Sequence, residues 1–158
     1  MKPQLDRIIN DSLIEFLHGG ITMNKWNLTR IYKDYDSNEY QEDFGLLQTQ
    51  VDRMESIVKS FVSGVFDSAL IEQYLKEDDR TEDIINMLYN YSMLIYSTDV
   101  SQSKPQEEIG KLYQFMPVLS SLDYEFTNYL FSVKNLEGLL FKTTFLTEHR
   151  FIILEKRN

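Results

Sequence analysis

The clearest pattern along the chain is a stripe of apolar side chains that recurs every three or four residues after Ser37. The stripe consists of Tyr40, Phe44, Leu47, Val51, Met54, Val58 and Phe61. This spacing puts them on one face of a helix, and Ser37 is a common N-cap residue type. Burying the stripe contributes roughly 10 to 20 kcal/mol, less than ordering the helix costs at roughly 1.5 kcal/mol per residue. The pattern therefore predicts a long amphipathic helix that shares its core with other helices.

A second long helical pattern follows Ser103, with Pro105 at a position suited to a first helical turn. Its apolar positions are Ile109, Leu112, Phe115, Met116, Leu119, Leu122, Phe126, Tyr129, Leu130 and Val133. Pro117 lies inside this pattern and removes a backbone donor, so we expect a kink or break close to Gln114.

Shorter patterns predict further helices between and after the long ones. One is expected from about Ser68 to Lys76 and another from Thr81 to Tyr96, with the acidic run Glu77 to Asp83 as a solvated junction. The segment from about Thr143 to Glu155 predicts a last helix. The apolar side of that helix is expected to hold Leu146, Phe151 and Leu154.

The fold class predicted from these patterns is all-α, a helical bundle with two long antiparallel helices and several short ones. No segment alternates like a strand between hairpin turns. We expect residues 1–22 to form an N-terminal extension with one short helix from Pro3 to Leu17, and residues 23–158 to form the main helical domain. The genetic code allows His18 to Met23 to be encoded by a message that contains a bacterial ribosome-binding site, so Met23 is an alternative start to Met1.

Composition narrows the classes of partner. The 158 residues carry 16 basic and 25 acidic side chains, a formal net charge of -9, which disfavours nucleic acid and anionic membrane surfaces. Apolar runs are far shorter than the roughly 20 residues that span a bilayer. The absence of cysteine excludes disulfides and thiolate chemistry and fits a cytoplasmic location.

The sequence holds no complete active site, so we expect no enzymatic activity from this chain alone and assign no catalytic, cofactor-binding or metal residue. Its two histidines, His18 and His149, are far apart, and neither belongs to an HExxH zinc motif. Asp34 to Asn38 opens like a calcium loop, but Glu39 stands where glycine is needed and Gly45 where a bidentate Glu is needed. A turn with Asx caps is the better interpretation of that segment.

A group of tyrosines leaves two interpretations open. Tyr89, Tyr91, Tyr96 and Tyr113 line a peptide groove if they face solvent, because a phenol combines apolar surface with a polar tip. If they are half buried, they belong to the core.

Three segments together resemble a known family. They are WNLTRIYK from Trp26, LYNYSMLIYSTD from Leu88 and EHRFIILEK from Glu148. They are similar, in order and approximate spacing, to the "W-D-L-(S/T)-x-(I/L)-Y", "L-Y-x-Y-A-x-L-x-x-S-x-D" and "Y-R-H-x-L-E-K" segments in the N-terminal region of oligoendopeptidase F and related bacterial M3-family metallopeptidases. Asn27 stands where that family usually has Asp.

The resemblance implies a noncatalytic helical lobe that forms one wall of an enclosed peptide channel, either as a fragment or as the product of a truncated gene. In the family, the opposite wall is a catalytic domain that binds zinc through HExxH, a motif this sequence lacks. The expected partners are therefore a peptide substrate or the missing catalytic domain, and zinc is expected only in the full-length enzyme.

Two alternatives belong to other classes. A small acidic chain also suits a free-standing interaction protein, of the immunity or inhibitor type, that binds a basic protein partner. A lobe without its catalytic domain would expose apolar surface, which favours a homo-oligomer.

Overall fold

The computed structural model describes residues 27–157, and all regular structure within them is helical. A 3-10 turn (Leu28–Arg30) precedes six α-helices, which we number in chain order: α1 (Asn38–Val58), α2 (Ser68–Thr98), α3 (Lys104–Tyr113), α4 (Met116–Ser132), α5 (Leu136–Leu139) and α6 (Thr144–Lys156). The predicted all-α fold is confirmed. The predicted N-terminal helix, His18 and the choice between Met1 and Met23 lie outside the described residues.

Helix α1 follows the predicted stripe. It begins after the N-cap Ser37, and Tyr40, Leu47, Val51 and Met54 are buried. The helix ends at Val58, earlier than the stripe suggests. Phe61 still reaches the core, where its ring stacks on that of Tyr129 with centroids 4.2 Å apart.

Helices α1 and α2 are the two long antiparallel helices. Near one end, the rings of Tyr40 and Tyr91 lie 6.0 Å apart, and in the middle the Thr81 hydroxyl lies 3.4 Å from the Met54 sulfur. At the other end, Phe61, just beyond α1, lies 6.1 Å from Tyr74 of α2. The prediction of such a pair is confirmed, but its second member is α2 and not the segment after Ser103.

The predicted junction at Glu77 to Asp83 is wrong, because α2 is continuous from Ser68 to Thr98. The segment has no glycine or proline, and it has an inward side: Glu77 and Thr81 are buried, and the Thr81 hydroxyl donates to the Glu77 carbonyl at 2.7 Å. The charged side chains of the run occupy mainly the outer side of one uninterrupted helix.

The break predicted near Gln114 is confirmed. Helix α3 ends at Tyr113, α4 begins at Met116, and Pro117 lies in the first turn of α4. A proline at that position removes a backbone donor that would have no partner within the helix. The break lets α4 turn its own side chains into the core, where Phe126 stacks on Tyr74 with ring centroids 4.1 Å apart.

The last helix is confirmed, and of its predicted apolar residues Leu146 and Leu154 lie toward the core, whereas Phe151 does not. Thr143 caps α6 by accepting a hydrogen bond from the Leu146 N–H at 3.2 Å. Leu146 and Ile153, two turns apart, are buried, and Leu154 is partly buried. Phe151 is 69% exposed, and the guanidinium carbon of Arg150 lies 4.2 Å from the centroid of its ring. Phe151 lies two positions before the buried Ile153, so its side chain points away from the buried side of the helix.

Candidate functional site

The connector before α1 is held by four buried tyrosines. Tyr32 and Tyr35 of the connector each make edge-to-face contacts with Tyr40 of α1 and Tyr91 of α2, at centroid distances of 5.0 to 5.2 Å. Such contacts contribute about 0.5 to 1.5 kcal/mol each beyond burial. Tyr32 and Tyr35 thus anchor the connector to the two helices, whereas Trp26 lies outside the described residues.

One buried carboxylate lies beside this tyrosine cluster. Glu108 of α3 accepts a hydrogen bond from the Tyr40 hydroxyl at 3.2 Å and pairs with Lys104 and Lys111 at 3.0 and 2.8 Å. Burial by itself would raise the pKa of Glu108, but the hydrogen bonds and charges of Lys111 and Lys104 outweigh it and hold this pKa below its ordinary value. Glu108 is therefore an ionised structural anchor between α3 and α1.

The phenols of the cluster are not poised for acid–base work. Burial raises the pKa of Tyr91 to about 12, and it also raises the pKa values of Tyr32 and Tyr40. Groups with such pKa values stay protonated at neutral pH, whereas a general base needs a pKa near the working pH. The cluster binds the connector to helices α1 and α2.

An outer row of side chains lies on the same half of α2. Tyr89, Met93 and Tyr96 follow one another at helical spacings of four and three, and the Tyr113 ring of α3 lies 6.5 Å from that of Tyr89. Met93 is 38% exposed and Tyr113 56% exposed, while Tyr89 and Tyr96 are half buried. We call these four residues the α2 aromatic row. The hydrogen-bonding contact with Tyr113 raises the pKa of Tyr89, so the Tyr89 phenol stays protonated at neutral pH.

The four tyrosines proposed for a groove are thus divided between two places. Tyr91 belongs to the buried cluster, whereas Tyr89, Tyr96 and Tyr113 belong to the α2 aromatic row. Sequence reasoning missed Met93 as their neighbour. The signal for it was present, because residue 93 lies four after Tyr89 and three before Tyr96 and so shares their face of the helix.

The structure brings together two of the three segments that resemble the peptidase family. Tyr32 from the first segment packs against Tyr91 from the second, with ring centroids 5.0 Å apart. The third segment lies in α6, where Lys156 pairs with Asp123 of α4 and approaches Asp78 of α2 at 3.9 Å.

The remaining candidates for chemistry have structural roles. The His149 ring stacks on Phe145 of its own helix, and its Nδ1 lies 2.8 Å from the Phe145 carbonyl. The Asp34 carboxylate accepts a hydrogen bond from the Asp36 N–H at 3.0 Å, which confirms the predicted Asx turn. Among residues 27–157, no three His, Cys, Asp or Glu side chains are placed to hold a metal ion. No helix in the same stretch is long and apolar enough to cross a membrane.

The described fold defines the class of the molecule as an all-α helical bundle with a long antiparallel pair at its centre. No protein-family model, curated protein or solved structure matches the chain.

Proposed function

We propose that this chain is a noncatalytic binding domain, the N-terminal lobe of an oligoendopeptidase F-like zinc metallopeptidase. The observation that carries the proposal is the position of the α2 aromatic row. Tyr89 and Tyr96 lie on either side of Tyr91 along α2, and Tyr91 makes the contact with Tyr32 that joins two of the segments resembling the family. The half of the molecule that resembles the family therefore presents an uncharged aromatic row. Its phenols offer apolar surface together with hydroxyl groups for an extended peptide.

In this proposal the lobe acts by confinement. The α2 aromatic row forms part of one wall of a channel, and a catalytic domain that carries HExxH and zinc forms the other wall. The closed channel admits short extended peptides, excludes folded proteins and shields the reaction from bulk water. The chain is then a fragment of such an enzyme or the product of a truncated gene, and the zinc ligands belong to the catalytic domain.

The experiment that separates this proposal from its rivals is sequencing of the DNA on both sides of the reading frame. We expect a segment that encodes HExxH downstream, either in frame or displaced by a frameshift. Flanking DNA without such a segment, next to a toxin gene, would overturn the proposal in favour of an immunity-type protein.

A second candidate function is a free-standing acidic protein that binds a basic partner. It is favoured by Asp79, Glu82 and Asp83, which are all exposed in the middle of α2, and by the exposed Asp52 on the facing helix α1. Such a surface would speed association with a basic protein, and the rate would fall as salt is added.

The two candidates are separated by where substitutions act. Replacing Asp79, Glu82 and Asp83 with their amides should abolish salt-dependent capture of a basic partner if the second candidate is correct. The same variant should bind peptides normally if the first candidate is correct, because these residues lie outside the α2 aromatic row.

A further inference from the structure

The side chains of the α2 aromatic row expose ring faces as well as hydroxyl groups. Tyr113 is 56% exposed, and its ring lies 6.5 Å from that of Tyr89 with a tilt of 49° between the two planes. Met93, which is 38% exposed, adds a polarisable thioether between Tyr89 and Tyr96 along α2. The face of an aromatic ring carries partial negative charge, so it attracts a cationic group within about 6 Å.

Other rings of this protein already bind cations of the same chain. The pairs, with distances from the cation to the ring centroid, are Lys76 with Phe145 at 4.8 Å, Lys142 with Phe66 at 5.4 Å and Arg150 with Phe151 at 4.2 Å. All three distances are within the range of a cation–π contact. A phenol ring has the same negative face, so the α2 aromatic row suits a lysine or arginine side chain from a peptide.

The charged groups of the two helices that form the row favour a cation over an anion. The lysines of α3 are already paired, since Lys104 and Lys111 contact the Glu108 carboxylate at 3.0 and 2.8 Å. On α2, the charged residues from residue 81 to residue 98 are Glu82 and Asp83, both acidic and exposed. The ring faces are therefore open to a cation from a partner, whereas a peptide carboxylate meets a surface of its own sign.

We propose that the α2 aromatic row selects cationic peptides, with an arginine or lysine side chain of the peptide lying over the rings of Tyr89 and Tyr113. This inference rests on the proposed function, because it names the class of peptide that the row binds. Arginine suits the row best, since its planar guanidinium stacks on an aromatic face. Charges outside the row contribute less at physiological salt. Glu82 lies seven residues before Tyr89, about 10 Å along α2, which exceeds the Debye length of about 8 Å.

A series of short peptides that differ only at one central residue tests this selection. Arginine, lysine, glutamine or glutamate occupies the central position, and an isotope-labelled methyl group of Met93 reports binding to the row by NMR at physiological salt. The arginine peptide should bind roughly fivefold tighter than the glutamine peptide, the factor expected for one exposed cation–π contact. The glutamate peptide should bind no tighter than the glutamine peptide.

Substitutions at Tyr113 separate the ring face from the rest of the side chain. Tyr113→Phe removes the hydroxyl group and keeps the ring, so the preference for the arginine peptide should remain. Tyr113→Leu keeps an apolar side chain and removes the ring, so the preference should fall to about twofold or less. Tyr124→Leu is the matched control, because Tyr124 is a 64% exposed tyrosine on α4, outside the row. This control should leave the preference unchanged.

The outcomes distinguish this inference from the function on which it rests. Equal affinities for the arginine and glutamine peptides, with the Met93 methyl signal still shifting, would refute the selection and leave the peptide-binding lobe standing. No shift with any peptide would refute both. A preference that survives Tyr113→Leu but is lost when Asp79, Glu82 and Asp83 are replaced by their amides would assign the cation to the acidic surface of α2 and overturn the proposal.

Discussion

At the scale of single residues, the buried Glu108 carboxylate is stabilised by partners from two helices. Tyr40 comes from α1, while Lys104 and Lys111 flank the carboxylate on α3. The lysine ammonium groups are half exposed, so their attraction is screened by solvent. The carboxylate is 2% exposed, so it depends on all three contacts.

Glu108→Gln should lower stability at neutral pH by about 1 to 2 kcal/mol, because charge-assisted hydrogen bonds become neutral ones. The pKa of Glu108 is lowered in the folded state, so its charge stabilises the fold above the ordinary pKa of 4.5. That contribution is lost as pH falls through the folded-state pKa. Thermal melts should therefore show a gap between variant and wild type at pH 7 that closes in acid. A gap independent of pH would contradict this role, and Glu42→Gln on the exposed side of α1 serves as the control.

Phe126→Ala should be among the most destabilising substitutions in the described chain. Phe126 is fully buried, stacks on Tyr74 and lies 5.8 Å from Phe61 by ring centroid. A cavity of that size costs about 3 to 5 kcal/mol. Urea unfolding followed by circular dichroism would measure the loss. Phe141→Ala, at a 62% exposed position, should stay within about 0.5 kcal/mol of wild type, and equal losses would contradict the assignment of the core.

At the scale of elements, the features that could be predicted from the sequence are those that depend on neighbouring residues in the chain. The stripe of α1 and the break beside Pro117 depend on spacing and on a missing donor, and both are present in the structure. The continuity of α2 depends on contacts from elsewhere, such as Met54 of α1 against Thr81. A run of acidic residues looks like a solvated junction until its inward positions are known to be covered.

Asp79→Pro tests the continuity of α2. Asp79 is exposed in the middle of the helix, so proline removes no core contact but breaks a backbone hydrogen bond and clashes with the preceding turn. The substitution should cost about 3 kcal/mol or more, whereas Asp79→Ala should be nearly neutral. Chemical denaturation of the two variants measures the difference. A protein that tolerates proline here as well as alanine would have a flexible junction, contrary to the structure.

The difference between local spacing and contacts from distant parts of the chain also explains which residues of the candidate site could be predicted from the sequence. Helical spacing is enough to place Tyr89 and Tyr96 on one face with Met93. Spacing could not show that Tyr91 faces inward, because that depends on Tyr32 and Tyr35 folding back from the connector onto α2. The proximity of Tyr113 to Tyr89 depends on how α3 packs on α2, which no local pattern specifies.

At the scale of the whole molecule, the described surface divides into regions with different chemistry. The middle of α2 is acidic, whereas the α2 aromatic row combines phenols with one thioether. A lobe that walls a peptide channel needs the aromatic row, whereas an immunity-type protein needs the acidic region. Binding experiments on the isolated chain therefore distinguish the two functions.

The most direct test of the proposed lobe is an NMR titration of the chain with short, unstructured peptides. The account predicts weak binding, with a dissociation constant of about 1 mM because one wall of the channel is absent, and amide shifts grouped around the α2 aromatic row. A double Tyr89→Ser and Tyr113→Ser variant should lose the shifts, and Tyr124→Ser on α4 should keep them. Shifts centred instead on Asp79, Glu82 and Asp83, or no shifts at all, would contradict the account.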